Sequence, residues 1–142
     1  MLERTLMLIK PDGVRSKHIG HVIQRVETEG FRICGLKMLR LRRSTAGEFY
    51  RVHQGKDFYA NLLDFMTSDR IVALALERED AVSYLRKIVG DTDPAKAGEG
   101  TIRKKLASNI RENVVHASDS MSNAAQELSF FFSQEELFSI AE

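Results

Sequence analysis

A chain of 142 residues with 43% hydrophobic and 29% charged side chains has the make-up of an ordinary globular domain, which excludes disordered and fibrous classes. Its 21 basic and 20 acidic residues leave a net charge of +1, so no global field recruits nucleic acid or an anionic membrane, and any anion must be caught by a local site. A chain of this length buries about 70% of its unfolded surface without staples, and the single cysteine, Cys34, permits neither an internal disulfide nor a cysteine metal cage, which fits a reducing cytoplasm.

Residues 4–10 form a nearly continuous apolar run stopped by Pro11-Asp12-Gly13, which predicts a buried strand ending in a turn, with Lys10 at its carboxyl end. The apolar stretch 6–9 is too short for a signal-peptide core or a membrane span, so residues 1–142 are expected to form one unanchored cytoplasmic domain. Ile19, Val22, Ile23 and Val26 recur at helical spacing, and Gly30 closes that helix. Residues 31–41 interleave apolar and basic side chains as a long strand with a bulge at Gly35. Ser44 or Thr45 caps a short helix, and Phe58, Leu62, Leu63, Phe65 and Met66 line a second.

A further apolar run at 71–76 reads as a strand and 80–89 as an amphipathic helix. Residues 90–100 collect turn formers without periodicity, and a loop of that length points to function. A basic helix at 101–106, a short strand at 114–116 and a helix capped within Ser118-Asp119-Ser120 complete the chain; Met121, Ala124, Ala125, Leu128, Phe131 and Phe132 form the last helix's buried face. This order predicts an α+β sandwich, a ferredoxin-like βαββαβ fold with a four-stranded, mainly antiparallel sheet covered by helices.

Several motifs lead elsewhere or nowhere. No G-x-x-x-x-G-K-[ST] run exists, and the protein-kinase signatures are missing, so phosphate chemistry needs another scaffold. Gly98-Glu99-Gly100 lacks the leading strand and third glycine of a dinucleotide fingerprint. His18 and His21 have no third ligand, and Lys37, Arg40, Arg42 and Arg43 fit a solvated strand edge better than a nucleic-acid contact. His116, at a strand end before a capped helix, has the setting of a nucleophile. A largely neutral imidazole can attack phosphorus, Glu127 on the next helix can orient its second nitrogen, and Ser118 can tether that carboxylate. On spacing alone, a structural core histidine remains the stronger alternative.

Lys10-Pro11-Asp12-Gly13-Val14 and Asn113-Val114-Val115-His116-Ala117-Ser118-Asp119-Ser120, with Tyr50, Phe58-Tyr59, Arg86, Thr92, Pro94 and Gly100-Thr101-Ile102-Arg103 in order between them, resemble the nucleoside diphosphate kinase family over essentially the whole chain. The resemblance implies ping-pong transfer of a γ-phosphate from a nucleoside triphosphate to a nucleoside diphosphate, maintaining nucleotide pools, with Mg²⁺ carried on the nucleotide and no metal ligand from protein side chains. By the same resemblance His116 is phosphorylated, with Glu127, Ser118 and Lys10 completing the catalytic set. Lys10, Tyr50, Arg86, Thr92, Arg103 and Asn113 match positions holding phosphates and sugar; Phe58 and Ile110 match those that sandwich the base, with Leu62 beside them.

Lys10, Arg86 and Arg103 would supply the cations phosphoryl transfer needs without a P-loop. Stacking on Phe58 implies tolerance of every base and of both sugars. The resemblance also implies a homo-oligomer, a hexamer being favoured over a tetramer, and no specific nucleic-acid binding. The chain departs from the family pattern at Ala117, where glycine is commoner, at Asp91 and Asp93 around Thr92, at Asp57 in place of a proline, and at Lys104-Lys105. Two carboxylates beside a phosphate site put affinity, rather than chemistry, in doubt.

Overall fold

The computed structural model describes residues 1–138. Its chain runs β1 (Leu2–Ile9), α1 (Pro11–Arg15), α2 (Ile19–Thr28), β2 (Arg32–Leu39), α3 (Arg43–Phe49), α4 (Tyr59–Met66), β3 (Ile71–Glu79), α5 (Ala81–Val89), α6 (Ile102–Leu106), β4 (Val115–Ala117) and α7 (Met121–Phe131). The strands form one sheet in the order β2-β3-β1-β4, every pair antiparallel. This is the expected α+β sandwich.

The two central strands are buried on both faces, which is why β1 and β3 read as unbroken apolar runs. Side chains alternate between the two faces. Met7, Ile9, Val72, Leu74 and Leu76 pack with Val22 and Val26 of α2 and with Leu85 and Ile88 of α5. Leu6, Leu8, Ile71, Ala73 and Ala75 pack on the other face with Ala46, Leu63 and Met66 of the α3–α4 pair and with Leu128 and Phe131 of α7. Each such large side chain contributes about 1.5–3 kcal/mol on burial.

Local details depart from the sequence expectations for identifiable reasons. Pro11-Asp12-Gly13 is the first turn of α1 rather than a free turn: Pro11 stands at the helix start, where its missing N–H costs nothing. β3 continues past the apolar run through Glu77-Arg78-Glu79, because Glu77 is stabilised by Arg4 of β1 at 3.1 Å. The β2 register slips between Ile33 and Gly35, so the extra residue is Cys34, whose thiol donates to Ala75 O at 3.3 Å. α3 begins at Arg43, with Thr45 Oγ1 accepting the Arg42 N–H at 3.2 Å from inside the first turn. The final strand starts at Val115 because Val114 lies at φ +75°, outside any strand conformation. Residues 90–100 hold no helix or strand, as expected of a loop.

Candidate active site

β4 sets the centre of the site by alternation. Val115 and Ala117 point into the core with α5, which turns His116 to the opposite side, towards α3 and α7. Ser120 caps α7 by accepting the Asn123 N–H at 3.1 Å, and Ala124, Leu128 and Phe131 turn that helix onto the sheet. Glu127, one residue before Leu128, therefore sits at the margin of the buried face. His116 Nε2 lies 2.9 Å from Glu127 Oε1, with side chains 26% and 20% exposed. The carboxylate can only accept, which assigns the proton to Nε2 and leaves the lone pair on Nδ1. Ser118 Oγ donates to the same Glu127 oxygen at 2.7 Å.

Two arginines hold the backbone on either side of the histidine. Arg103 Nη2 donates to Val115 O at 2.7 Å and Nη1 to Gly90 O at 3.0 Å; Arg86 Nη1 donates to Ala117 O at 3.4 Å. Burial, then repulsion from Arg86, pushes Arg103 down to about 10, with Asp91 opposing. Lys10, just past β1, donates to Asn113 Oδ1 at 2.8 Å and to Arg111 O at 3.2 Å. Burial lowers it to about 8, with Arg103 adding to that shift and Asp12 opposing it. Both groups are cationic at neutral pH, and an arriving anion relieves their crowding.

A cleft of about 1480 Å³ opens beside this cluster, with Lys10, Phe58, Leu62, Thr92 and Ile110 among its lining residues. Phe58 and Ile110 are 44% and 59% exposed, which argues against the core role their apolar character also allowed. Thr92 is tied in through its carbonyl, which accepts from Asn113 Nδ2 at 3.1 Å. Asn113 thus joins the cleft wall to the segment that carries His116. Tyr50 is buried at the end of α3, where burial and then the Glu127 carboxylate push its hydroxyl upward. Ala117 has no left-handed backbone, so the alanine at this position is sterically ordinary. Tyr50, Arg86, Arg103, Asn113 and His116 do not line the cleft itself.

Sequence reasoning missed three neighbours. Phe49 packs almost perpendicular to the His116 ring, with centroids 5.7 Å apart. Arg111 offers its carbonyl to Lys10, and the Asp12 carboxylate accepts the Val114 backbone N–H. Only Asp12 carries a signal in the sequence, its place in the Lys10–Val14 motif, where Pro11-Asp12-Gly13 reads as a turn. Among the described residues, no three His, Cys, Asp or Glu side chains gather as a metal-ligand set. None of the described helices is long and apolar enough to cross a membrane.

A carboxylate-held imidazole flanked by cations, beside a cleft with exposed apolar walls, is a setting for phosphoryl transfer to and from a nucleotide, and this fold with this site defines a nucleotide phosphotransferase. The comparisons narrow that class. Residues 3–137 match the family model described as nucleoside diphosphate kinase. The nucleoside diphosphate kinase of Chlorobium limicola is 52% identical over 136 residues, covering 96% of this chain and 97% of that protein. That of Methanocaldococcus jannaschii is 45% identical over 138 residues, 97% and 99% of the two chains. The Aquifex aeolicus nucleoside diphosphate kinase structure superposes with a TM-score of 0.94 at 40% identity, covering 97% of this chain and all of the other. The Halobacterium salinarum enzyme, solved in complex with CDP, gives 0.94 at 35% identity, with 98% and 93% covered. The chain belongs to the nucleoside diphosphate kinase family, and its activity is that of a nucleoside diphosphate kinase.

Proposed function

We propose that residues 1–142 act as one kinase domain working by a ping-pong route through a phosphohistidine at His116. The observation that carries this reading is the Ser118–Glu127–His116 chain, which leaves Nδ1 as the nitrogen able to attack. Nδ1 forms a bond to the γ-phosphorus as the bond to the bridging oxygen breaks, and the nucleoside diphosphate leaves with that electron pair. A second nucleoside diphosphate then attacks through a terminal oxygen of its own last phosphate, breaking the P–N bond and restoring the imidazole.

Glu127 stabilises the positive ring during the transfer, while Lys10, Arg86 and Arg103 offset the charge moving between oxygens. Tyr50, Thr92 and Asn113 position phosphate and sugar, Tyr50 from its buried place near the Glu127 carboxylate. Phe58, Leu62 and Ile110 hold the base by its faces, so purine and pyrimidine, ribose and deoxyribose are all accepted, CDP among them. Mg²⁺ enters as part of the nucleotide, where it neutralises phosphate charge, consistent with a site built from cations rather than a carboxylate cage.

In a cytoplasmic setting this activity balances nucleoside triphosphate pools. Leu36 and Met38, exposed on the edge strand β2, support a homo-oligomer, and the resemblance of the Pro94 loop to the segment that packs between subunits in hexameric family members favours a hexamer over a tetramer. The near-neutral chain favours no specific nucleic-acid partner. The test is to mix the protein with γ-labelled ATP and Mg²⁺, isolate an acid-labile, base-stable phosphoenzyme, and chase it with unlabelled deoxynucleoside diphosphate. Label that forms and passes to the acceptor supports the reading; protein that never takes label overturns it.

A further inference from the structure

The backbone at Val114 stands out from everything around it. Its φ of +75° is a conformation that a β-branched side chain rarely adopts, and it lies two residues before His116. Val115 N–H donates to Asn113 O at 2.9 Å, which closes a three-residue γ-turn about Val114. Such a turn persists only where its surroundings hold it.

Those surroundings are supplied by residues 10–13. Asp12 Oδ2 accepts the Val114 N–H at 3.0 Å, and the Lys10 backbone N–H donates to Val114 O at 2.7 Å, so both backbone polar groups of Val114 are taken by one short segment. The packing leaves no slack: a Cβ at Gly13 would lie 3.0 Å from Val114 Cγ1 and 3.2 Å from Val114 O. The turn fixes the residues on both sides of it, since Asn113 reaches Lys10 and Thr92 before it while Val115 O is held by Arg103 after it. Asp12 does not line the cleft, and its Oδ1 is buried without a hydrogen-bond partner among the described residues. The carboxylate therefore serves the turn rather than a ligand.

We infer that Asp12 is a positioning residue for phosphoryl transfer: its hydrogen bond to Val114 holds the γ-turn that aims Asn113 and His116. The inference deepens the proposed function and rests on it for the role of His116. Removing the carboxylate frees the turn to relax, and a displacement of about 1 Å at the nucleophile is enough to lower turnover on the order of 100-fold. Glycine adopts positive φ without a clamp, so it can hold the turn where valine cannot.

The experiment measures steady-state transfer between nucleotides, with kcat and KM separated, and melting temperature for Asp12→Ala, Asp12→Asn and Asp12→Ala combined with Val114→Gly. Asp12→Ala is expected to lose about 100-fold in kcat while keeping a folded transition. Asp12→Asn, whose amide oxygen still accepts the Val114 N–H, is expected to stay within roughly threefold of the parent when kcat is measured well below pH 8, where Lys10 keeps its charge without the Asp12 carboxylate. The double variant is expected to recover about tenfold over Asp12→Ala, because glycine removes the need for the clamp.

Folded Asp12→Ala with parental kcat overturns the inference, as does folded Asp12→Asn losing as much as Asp12→Ala, or a folded double variant no better than the single one. If Asp12→Ala does not fold, Asp12→Asn still decides: parental folding with tenfold or greater loss overturns it, and retention supports it. Labelling of the unmodified protein is run alongside. Absence of phosphohistidine there counts against the ping-pong reading, whereas the variants report on transfer itself and keep the two failures apart.

Discussion

Lys10 donates its ammonium to the Asn113 side chain across 2.8 Å, joining residues 103 positions apart at the seam between cleft and nucleophile. The bond holds a cation that burial has pushed down to about 8. Below that pH the free enzyme presents a charged Lys10 to the phosphates; as pH rises through about 8, the charge is lost. Because kcat/KM reports groups of the free enzyme, its alkaline limb is expected to fall near pH 8, while kcat falls at higher pH once bound phosphate stabilises the cation. Lys10→Gln should lose about 100-fold in kcat/KM at neutral pH and flatten that limb. An unchanged limb in Lys10→Gln would assign it to another group.

Ser118 acts on His116 only through Glu127, since both donate to the same carboxylate oxygen. Glu127→Gln is expected to lower kcat on the order of 10- to 100-fold, and Ser118→Ala a few-fold. Residues acting in series do not add. The double variant should therefore cost about as much as Glu127→Gln alone, and a cost equal to the product of the two single effects would show that Ser118 has a separate task. His116→Gln, included as the control, is expected to take no label while its melting temperature stays within a few degrees of the parent.

The fold was legible where one physical signal dominated. β1 and β3 carry unbroken apolar runs because helices cover both sheet faces, and α2 and α7 carry apolar stripes, although Met121 and Ala125, expected on the buried face of α7, are exposed and only Ala124, Leu128 and Phe131 are buried there. Short elements escaped: α1 has five residues, too few for any period, and Pro11 is as much at home in a turn as at a helix start. Of the site, the grouping of His116, Glu127 and Ser118 was readable from a histidine at a strand end before a capped helix, and hydrogen bonds join the three, whereas Phe58 and Ile110, both exposed, were pointed to only by the resemblance. Phe49 against His116 and the left-handed Val114 were invisible because nothing in a valine announces positive φ, and a phenylalanine between Glu48 and Tyr50 reads as core.

Phe58 offers an exposed aromatic face at the start of α4, with His53 5.2 Å away, centroid to centroid, and Lys56 Nζ 5.7 Å from its ring. Stacking depends on a π-face that every base has, at about 1–3 kcal/mol per base. Phe58→Ala is expected to raise KM on the order of tenfold for ADP and CDP alike, with kcat within about threefold, because the lost contact is made equally before and during transfer. Ile110→Ala should do the same to a smaller degree. A rise confined to one base would show that recognition there involves hydrogen bonding to a base edge.

The two carboxylates flanking Thr92 have different surroundings, so they should not act alike. Asp91 raises the Arg103 cation and accepts the Asp93 N–H at 2.9 Å, which places its charge where it offsets a positive neighbour. Asp93 lines the cleft and its carboxylate accepts the Ala95 N–H at 3.0 Å, with no cation paired to it among the described residues, so its charge stands at the wall of the proposed nucleotide site. Asparagine keeps that hydrogen bond and removes the repulsion. Asp93→Asn is expected to lower nucleotide KM about two- to threefold at low salt, with the gain disappearing near 0.5 M salt as screening removes what there was to relieve. Asp91→Asn should bring no gain. Titrating KM against salt for both variants separates repulsion from loop rearrangement, since a rearranged loop would change KM at every ionic strength.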